Sequence, residues 1–146
     1  MTIHVGFTGT RVGMTPIQKK GVELALDMIP GSIVFHHGDC VGADADAHEI
    51  VTRVAPERAI IVIHPGYDKK GKMPNRAWCP VGDNVAVHDA KPYLERNHDI
   101  VAECEVLIST PGGPELLRSG TWATIRHARG TYRRTIVILP DGQVMS

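Results

Sequence analysis

Aromatic side chains are scarce in this chain: two Trp, two Phe and three Tyr among 146 residues. So few flat rings make poor stacking platforms, which argues against single-stranded nucleic acid as a partner. Cysteine is sparse too. Cys40, Cys79 and Cys104 are odd in number and far apart, which argues against a disulfide framework and for a reducing, cytoplasmic setting. Neither sign of charge is in excess, with 16 basic and 16 acidic residues. No broad surface for nucleic acid or an anionic membrane is therefore expected, although a local basic pocket is compatible with neutrality. No apolar run approaches the roughly 20 residues of a membrane span, and the N-terminus has no signal-peptide pattern. Internal repeats, low-complexity tracts and interdomain linkers are missing as well. What is left is ordinary globular composition, 42% hydrophobic and 22% charged, over a length that suits one domain spanning residues 1–146.

Within that length a strand–loop–helix pattern recurs. Ile3-His4-Val5-Gly6-Phe7 reads as a strand that breaks into Thr8-Gly9-Thr10-Arg11. Thr15-Pro16-Ile17-Gln18 then starts a helix: Thr caps, Pro suits the first position and Gln18 closes a capping box. Ile17, Leu24 and Met28 are its expected inward face, and Pro30-Gly31 its end. Ser32 through His37 is a second strand, leaving into Gly38-Asp39-Cys40-Val41-Gly42-Ala43-Asp44 and a helix through Ala45, Ala47, Ile50 and Val51. Ala59 through His64 is a third, continuously apolar as buried parallel strands are. Pro92 through Cys104 reads as a helix with Leu94, Ile100 and Val101 as its apolar contacts. Val106–Ile108 and Ile136–Leu139 are the fourth and fifth strands. This alternation predicts an α/β fold: a Rossmann-like, doubly wound parallel sheet of about five strands in the order 3-2-1-4-5, with helices on both faces. Residues 65–90, rich in Lys, Gly, Pro, Asn and Asp, read as a long loop or lid. Trp78 is expected to plug that lid onto the domain rather than stack on a base. Cys79 has no His or general base near it in sequence, which argues against a nucleophile.

The stretch from Leu107 to Arg129 carries the most chemical information. Pro111-Gly112-Gly113 turns the chain after a strand, and Ser119-Gly120-Thr121 opens a helix. Helix-initial N–H groups have no internal partner and sit at the positive end of the macrodipole, so glycines and hydroxyls there suit a phosphate. Arg11 offers a bidentate fork for an anion. Asp44 either caps its helix or, like Asp39, accepts hydrogen bonds from a ribose or base, with Gly42 and Ala43 small enough for close approach. Arg96-Asn97 suits a phosphate and a base or sugar if its helix faces the same edge. In doubly wound sheets ligands lie beyond the carboxyl ends of the strands where the order reverses. The loops at Thr8, Gly38 and Pro111 all leave such ends. His36, His37, Cys40 and His48 match no zinc spacing, and neighbours on a strand point to opposite faces. Neither a metal nor a cofactor is expected; one of the paired histidines should be packed and the other should line the loop.

Taken together, Gly6-Phe7-Thr8-Gly9-Thr10-Arg11, His37-Gly38-Asp39-Cys40-Val41-Gly42-Ala43-Asp44, Arg96-Asn97 and Pro111-Gly112-Gly113 with Gly120-Thr121 resemble the SLOG superfamily. That Rossmann-like group includes the Smf/DprA proteins, the LOG phosphoribohydrolases and small YspA-like nucleotide-binding proteins, of which the last fit best. The resemblance implies a nucleotide pocket lined by Thr8, Arg11, Gly42, Asp44, Arg96, Asn97, Gly112, Gly113, Gly120 and Thr121. Gly9, Thr10, Gly38, Asp39, Ala43, Pro111 and Ser119 belong to the same loops. The chain departs from LOG enzymes in two places. There a single residue separates Pro-Gly-Gly from Gly-Thr, where six stand here, and Thr124 takes the place of a catalytic Glu. The expected function is therefore binding of a nucleotide or nucleotide-derived small molecule, as a sensor or sequestering protein. The alternative is hydrolysis of an N-glycosidic bond in a nucleotide or NAD-like compound, with Glu115 and Asp44 as catalytic carboxylates. A DprA-like single-stranded DNA binder is the second alternative. Dimers dominate among oligomers, so a homodimer is the expected assembly.

Overall fold

The computed structural model describes residues 1–146. Its elements follow in the order β1 (Thr2–Gly9), α1 (Pro16–Asp27), β2 (Ser32–His37), α2 (Ala43–Val54), β3 (Ala59–Ile63), β4 (Gly66–Tyr67), β5 (Val85–Val87), β6 (Lys91–Pro92), α3 (Tyr93–Glu103), β7 (Val106–Thr110), α4 (Gly120–Gly130), β8 (Arg134–Ile138) and β9 (Val144–Met145). Seven strands form one sheet in the order β5-β3-β2-β1-β7-β8-β9, parallel except for the closing β8–β9 pair. The five strands legible in the sequence are its interior, β3-β2-β1-β7-β8, which is the expected 3-2-1-4-5 arrangement. β5 and β9 extend the edges and are too short to show a period in sequence. β4 and β6 form a separate parallel pair inside and just after the 65–90 stretch.

Each face of the sheet carries two helices. Val5, Phe7, Phe35, Ile61 and Ile108 meet Val22 and Leu26 of α1 and Ala47, Ile50 and Val51 of α2 in the larger core. Leu107 and Val137 meet Val101 and Cys104 beside α3 and Trp122, Ile125 and Ala128 of α4 in the smaller one. Leu107 and Ile108 are neighbours in the chain and serve opposite cores, as strand alternation requires. Burying a side chain such as Leu26 or Phe35 contributes about 1.5–3 kcal/mol. No helix is long and apolar enough to cross a membrane.

α1 begins with the expected capping box: Thr15 Oγ1 accepts from the Gln18 N–H (3.2 Å) and Gln18 Oε1 accepts from the Thr15 N–H (3.0 Å). Its inward face is not the expected one. Gln18, Val22, Ala25 and Leu26 are buried, whereas Ile17, Leu24 and Met28 are 51%, 54% and 83% exposed. The reason is Gln18, whose side-chain amide donates to the carbonyls of Pro111 (2.8 Å) and Ile138 (2.9 Å) at the ends of β7 and β8. Those two bonds set the rotation of the helix. On α3 the same kind of substitution occurs: Leu94 is exposed, and Arg96 joins Ile100 and Val101 on the buried side.

Candidate functional site

Connections run one way from β1 to β2 and β3, and the other way to β7 and β8, so the order reverses beside β1. A polar cavity of about 380 Å³ opens at this point, within the range of about 300–1,000 Å³ typical of small-molecule sites. The end of β1 supplies Phe7, Thr8, Gly9, Thr10 and Arg11. The loop after β2 supplies Gly38, Cys40 and Asp44. α3 supplies Arg96, Asn97 and Ile100, and the approach to α4 supplies Arg118, Ser119, Gly120 and Thr121. Ser119 caps α4 by accepting from the Trp122 N–H at 3.2 Å, so the Gly120 and Thr121 N–H groups at the helix start are left facing outward.

Arg96 is the keystone of this wall. It is buried, and its Nη1 donates to the carbonyls of Gly38 (2.7 Å) and His64 (3.1 Å), tying together the ends of β2 and β3. Nε donates to Asn97 Oδ1 at 2.7 Å, and Nη2 rests 3.7 Å from Cys40 Sγ. Four of its five N–H donors are thereby engaged, leaving the Nη2 edge as its contribution to a ligand. Gly38 makes this possible, because a Cβ there would overlap the guanidinium. Arg11 and Arg118 are exposed at the mouth, and neither takes part in an ion pair.

Asp44 is the one carboxylate of the cavity. It does not cap α2, whose N-cap is Gly42 with no side-chain bond. Its Oδ2 instead accepts from the N–H groups of Gly38 (3.2 Å) and Cys40 (3.1 Å), closing the preceding loop over the start of the helix. Burial raises its pKa to about 6, against the opposing pull of Arg96 and those two N–H groups. Burial also raises the Cys40 thiol, to about 11, with the Asp44 charge adding to the effect.

Seven sequence-derived candidates lie outside the cavity lining, each with a structural reason. Asp39 gives its carboxylate to Arg76 Nε (3.0 Å) and to the Cys79 N–H (3.0 Å), anchoring the 65–90 segment. Ala43 is wholly buried in the larger core. Gly42 has φ of 91° and packs against Thr10 and Arg11, so a Cβ would run into their carbonyl groups rather than crowd a ligand. Pro111 and Gly113 are held from behind, their carbonyls taken by Gln18 and by Trp122 Nε1 (3.2 Å). Gly112 packs on Thr10. Glu115 is exposed on the outside of the enlarged loop and paired with Arg126 Nη1 at 2.9 Å, so it is not placed to act on a bound ligand. Conversely, Phe7, Cys40, Ile100 and Arg118 line the cavity, a role their sequence context does not indicate. Arg118 was the most accessible to inference, since it immediately precedes the Ser119 cap.

Gly42→Ala is expected to destabilise the fold by about 1–3 kcal/mol, because it combines a left-handed backbone with a collision against the β1 loop. Urea denaturation measures it directly, and a loss below about 0.5 kcal/mol would mean the β1 loop yields freely.

The lid residues are arranged differently from expectation. Trp78 is 68% exposed with the Arg76 guanidinium 3.7 Å above its ring, so it does not plug the domain. Cys79 does so instead, buried beside His37 and His48, two histidines remote in sequence. Burial and the Asp39 carboxylate push its thiol far above the ordinary range, which leaves it unreactive. His37 accepts from the Asp39 N–H at Nδ1 (2.9 Å), so its proton sits on Nε2, 2.9 Å from His48 Nδ1. Burial holds His37 neutral, with its pKa lowered to about 3. His36 is buried as well, on the opposite face. Both histidines are therefore packed, and His37, through the Asp39 N–H, is the one that meets the loop after β2.

Two roomier grooves, of about 760 Å³ between α2 and residues 77–85 and about 650 Å³ along α1, are lined mainly by apolar side chains. Size does not decide between them and the smaller cavity; charge and the convergence of strand ends do. Fold and cavity thus define a Rossmann-like α/β protein with a cationic cleft at the topological switch point. Neither a protein-family model nor a curated protein matches the chain.

Proposed function

We propose that this chain binds a nucleotide or nucleotide-derived ligand in the cavity at the carboxyl edge of its sheet, as a sensor or sequestering protein of the SLOG type it resembles. The observation that carries the reading is the meeting of Arg11, Arg96 and Arg118 around a single carboxylate, with the open N-terminus of α4 on the same wall. One fixed guanidinium, two free ones at the mouth and outward N–H donors suit a phosphate. The hydroxyls of Thr8, Thr10 and Thr121 add donors and acceptors suited to a sugar. Seven residues that the resemblance implies for the pocket, Thr8, Arg11, Asp44, Arg96, Asn97, Gly120 and Thr121, are among its lining.

A panel of mono-, di- and cyclic nucleotides should include one that raises the melting temperature. At a hundredfold excess over Kd the stabilisation is about 2.7 kcal/mol. Arg11→Ala and Arg118→Ala should each weaken that ligand by about 10–100-fold, the worth of a charge-assisted hydrogen bond, and leave the unliganded melting temperature unchanged. A flat panel would overturn the proposal.

One observation favours a second reading. A carboxyl whose pKa is raised to about 6 inside a polar cavity has the properties of a general acid near neutral pH. Asp44 would then protonate a leaving base in hydrolysis of an N-glycosidic bond, without Glu115. Chromatography of nucleotides incubated with the protein separates the readings: free base that disappears with Asp44→Asn supports hydrolysis.

A further inference from the structure

On the α3 side of the sheet, three chain-distant donors converge: His36 Nδ1 from β2, His64 Nε2 from the end of β3, and Glu103 Oε2 from the last turn of α3. His36 Nδ1 and His64 Nε2 are 2.9 Å apart, and Glu103 Oε2 is 3.3 Å from each. Zinc bonds of about 2.0–2.1 Å to nitrogen and carboxylate oxygen place tetrahedral donors about 3.3 Å apart, so one ion can sit about 2 Å from all three. We propose that His36, His64 and Glu103 form a site for a divalent transition metal of the zinc class, separate from the anion cavity.

The chemistry of the cluster supports this. Two imidazoles and a carboxylate are a borderline donor set, suited to zinc, cobalt or nickel over calcium or magnesium. His4 Nδ1 lies 2.9 Å from His36 Nε2 and stacks on the ring. With the His36 Nε2 proton donated to His4 Nδ1, His36 Nδ1 is the ring's lone pair on the carboxylate side, the outer hydrogen bond that orients a metal-bound imidazole. The histidines are buried, while Glu103 is exposed, which provides an entry path and an open coordination position at the surface. None of the three residues lines the anion cavity. The other cluster, His37, His48 and Cys79, is a poorer candidate because it is enclosed. His37 Nδ1 accepts from the Asp39 N–H, so its Nε2, the atom facing the cluster, carries the proton and offers no lone pair.

The test is titration of the chelator-treated 146-residue chain with zinc alone and cobalt alone, by calorimetry and visible absorption. The expected result is one equivalent of either metal and cobalt ligand-field bands without a thiolate charge-transfer band. Glu103→Gln should weaken binding by more than about tenfold, and His4→Phe by about 10–100-fold. The exposed position of Glu103 makes its variant the one that keeps its fold, which its melting curve checks. If it does not, wild-type stoichiometry and spectrum still decide. Absence of binding, affinity unchanged in Glu103→Gln, or a thiolate band removed by Cys79→Ser would each overturn the assignment.

Discussion

Replacing Arg96 by alanine is expected to lower the melting temperature by on the order of 10 °C and to abolish ligand binding in the same step. The side chain is buried and bridges the carbonyls of Gly38 and His64, which lie 58 and 32 residues away. Its removal strands both acceptors and takes from buried Asp44 the positive charge that opposes its desolvation. Leaving a buried acceptor unpaired costs about 1–3 kcal/mol, and two of them amount to a large share of the about 5–15 kcal/mol that holds a domain folded. Arg96→Lys should recover part of the stability and little of the binding. An ammonium keeps the charge but cannot span two carbonyls while presenting an Nη2 edge to the cavity. Thermal melts and ligand titration well below the transition separate the two effects. A stable Arg96→Ala chain that still binds would remove Arg96 from the site.

The second large effect is set by pH and by Asp44. Its folded pKa, about 6, lies above the ordinary value of 3.8, so between these limits the folded state holds a proton that the unfolded state has lost. The penalty for burying the ionised form is therefore fully present above about pH 6 and is relieved as pH falls toward 4, by on the order of 2–3 kcal/mol. Asp44→Asn keeps an acceptor for the Gly38 and Cys40 N–H groups and removes the charge. Its stability advantage over the natural chain should be largest at pH 8 and shrink by pH 4, a difference in which the titration of distant histidines cancels. Anion affinity should follow the same proton. A phosphodiester, whose charge does not change in this range, should bind about tenfold more tightly at pH 5 than at pH 7.5, and the Asn variant should be flat and tight throughout. Affinity that rises with pH would mean the Asp44 carboxylate does not face the anion.

The histidines show how differently two parts of the same argument read in sequence. That His36 and His37 point to opposite faces follows from strand alternation alone, and they do join separate clusters. That His36 meets His64 and Glu103 was illegible, since the partners come from two other elements, each at a register only the sheet and α3 packing define. α1 is similar. Its capping box is a local pattern and reads directly, whereas its rotation depends on Gln18 reaching the ends of β7 and β8, and a hydrophobic pattern is blind to a buried amide. Glu115 read as a possible catalyst because its loop leaves the right strand. Its capture by Arg126, eleven residues further on, turns it outward.

The layered α/β order, the reversal beside β1 and the rim where candidate loops gather all follow from the order of residues. Strand and helix periods, caps and crossover handedness are local or topological rules, and they act before any particular contact forms. Which residues of those loops turn toward the cavity depends on packing between elements distant in the chain. Gly38 yields to Arg96, Gly42 to the β1 loop, and Asp39 is drawn off by Arg76 and Cys79. A small or polar side chain satisfies whichever neighbour packing brings within hydrogen-bond reach, and those neighbours lie tens of residues away in the chain.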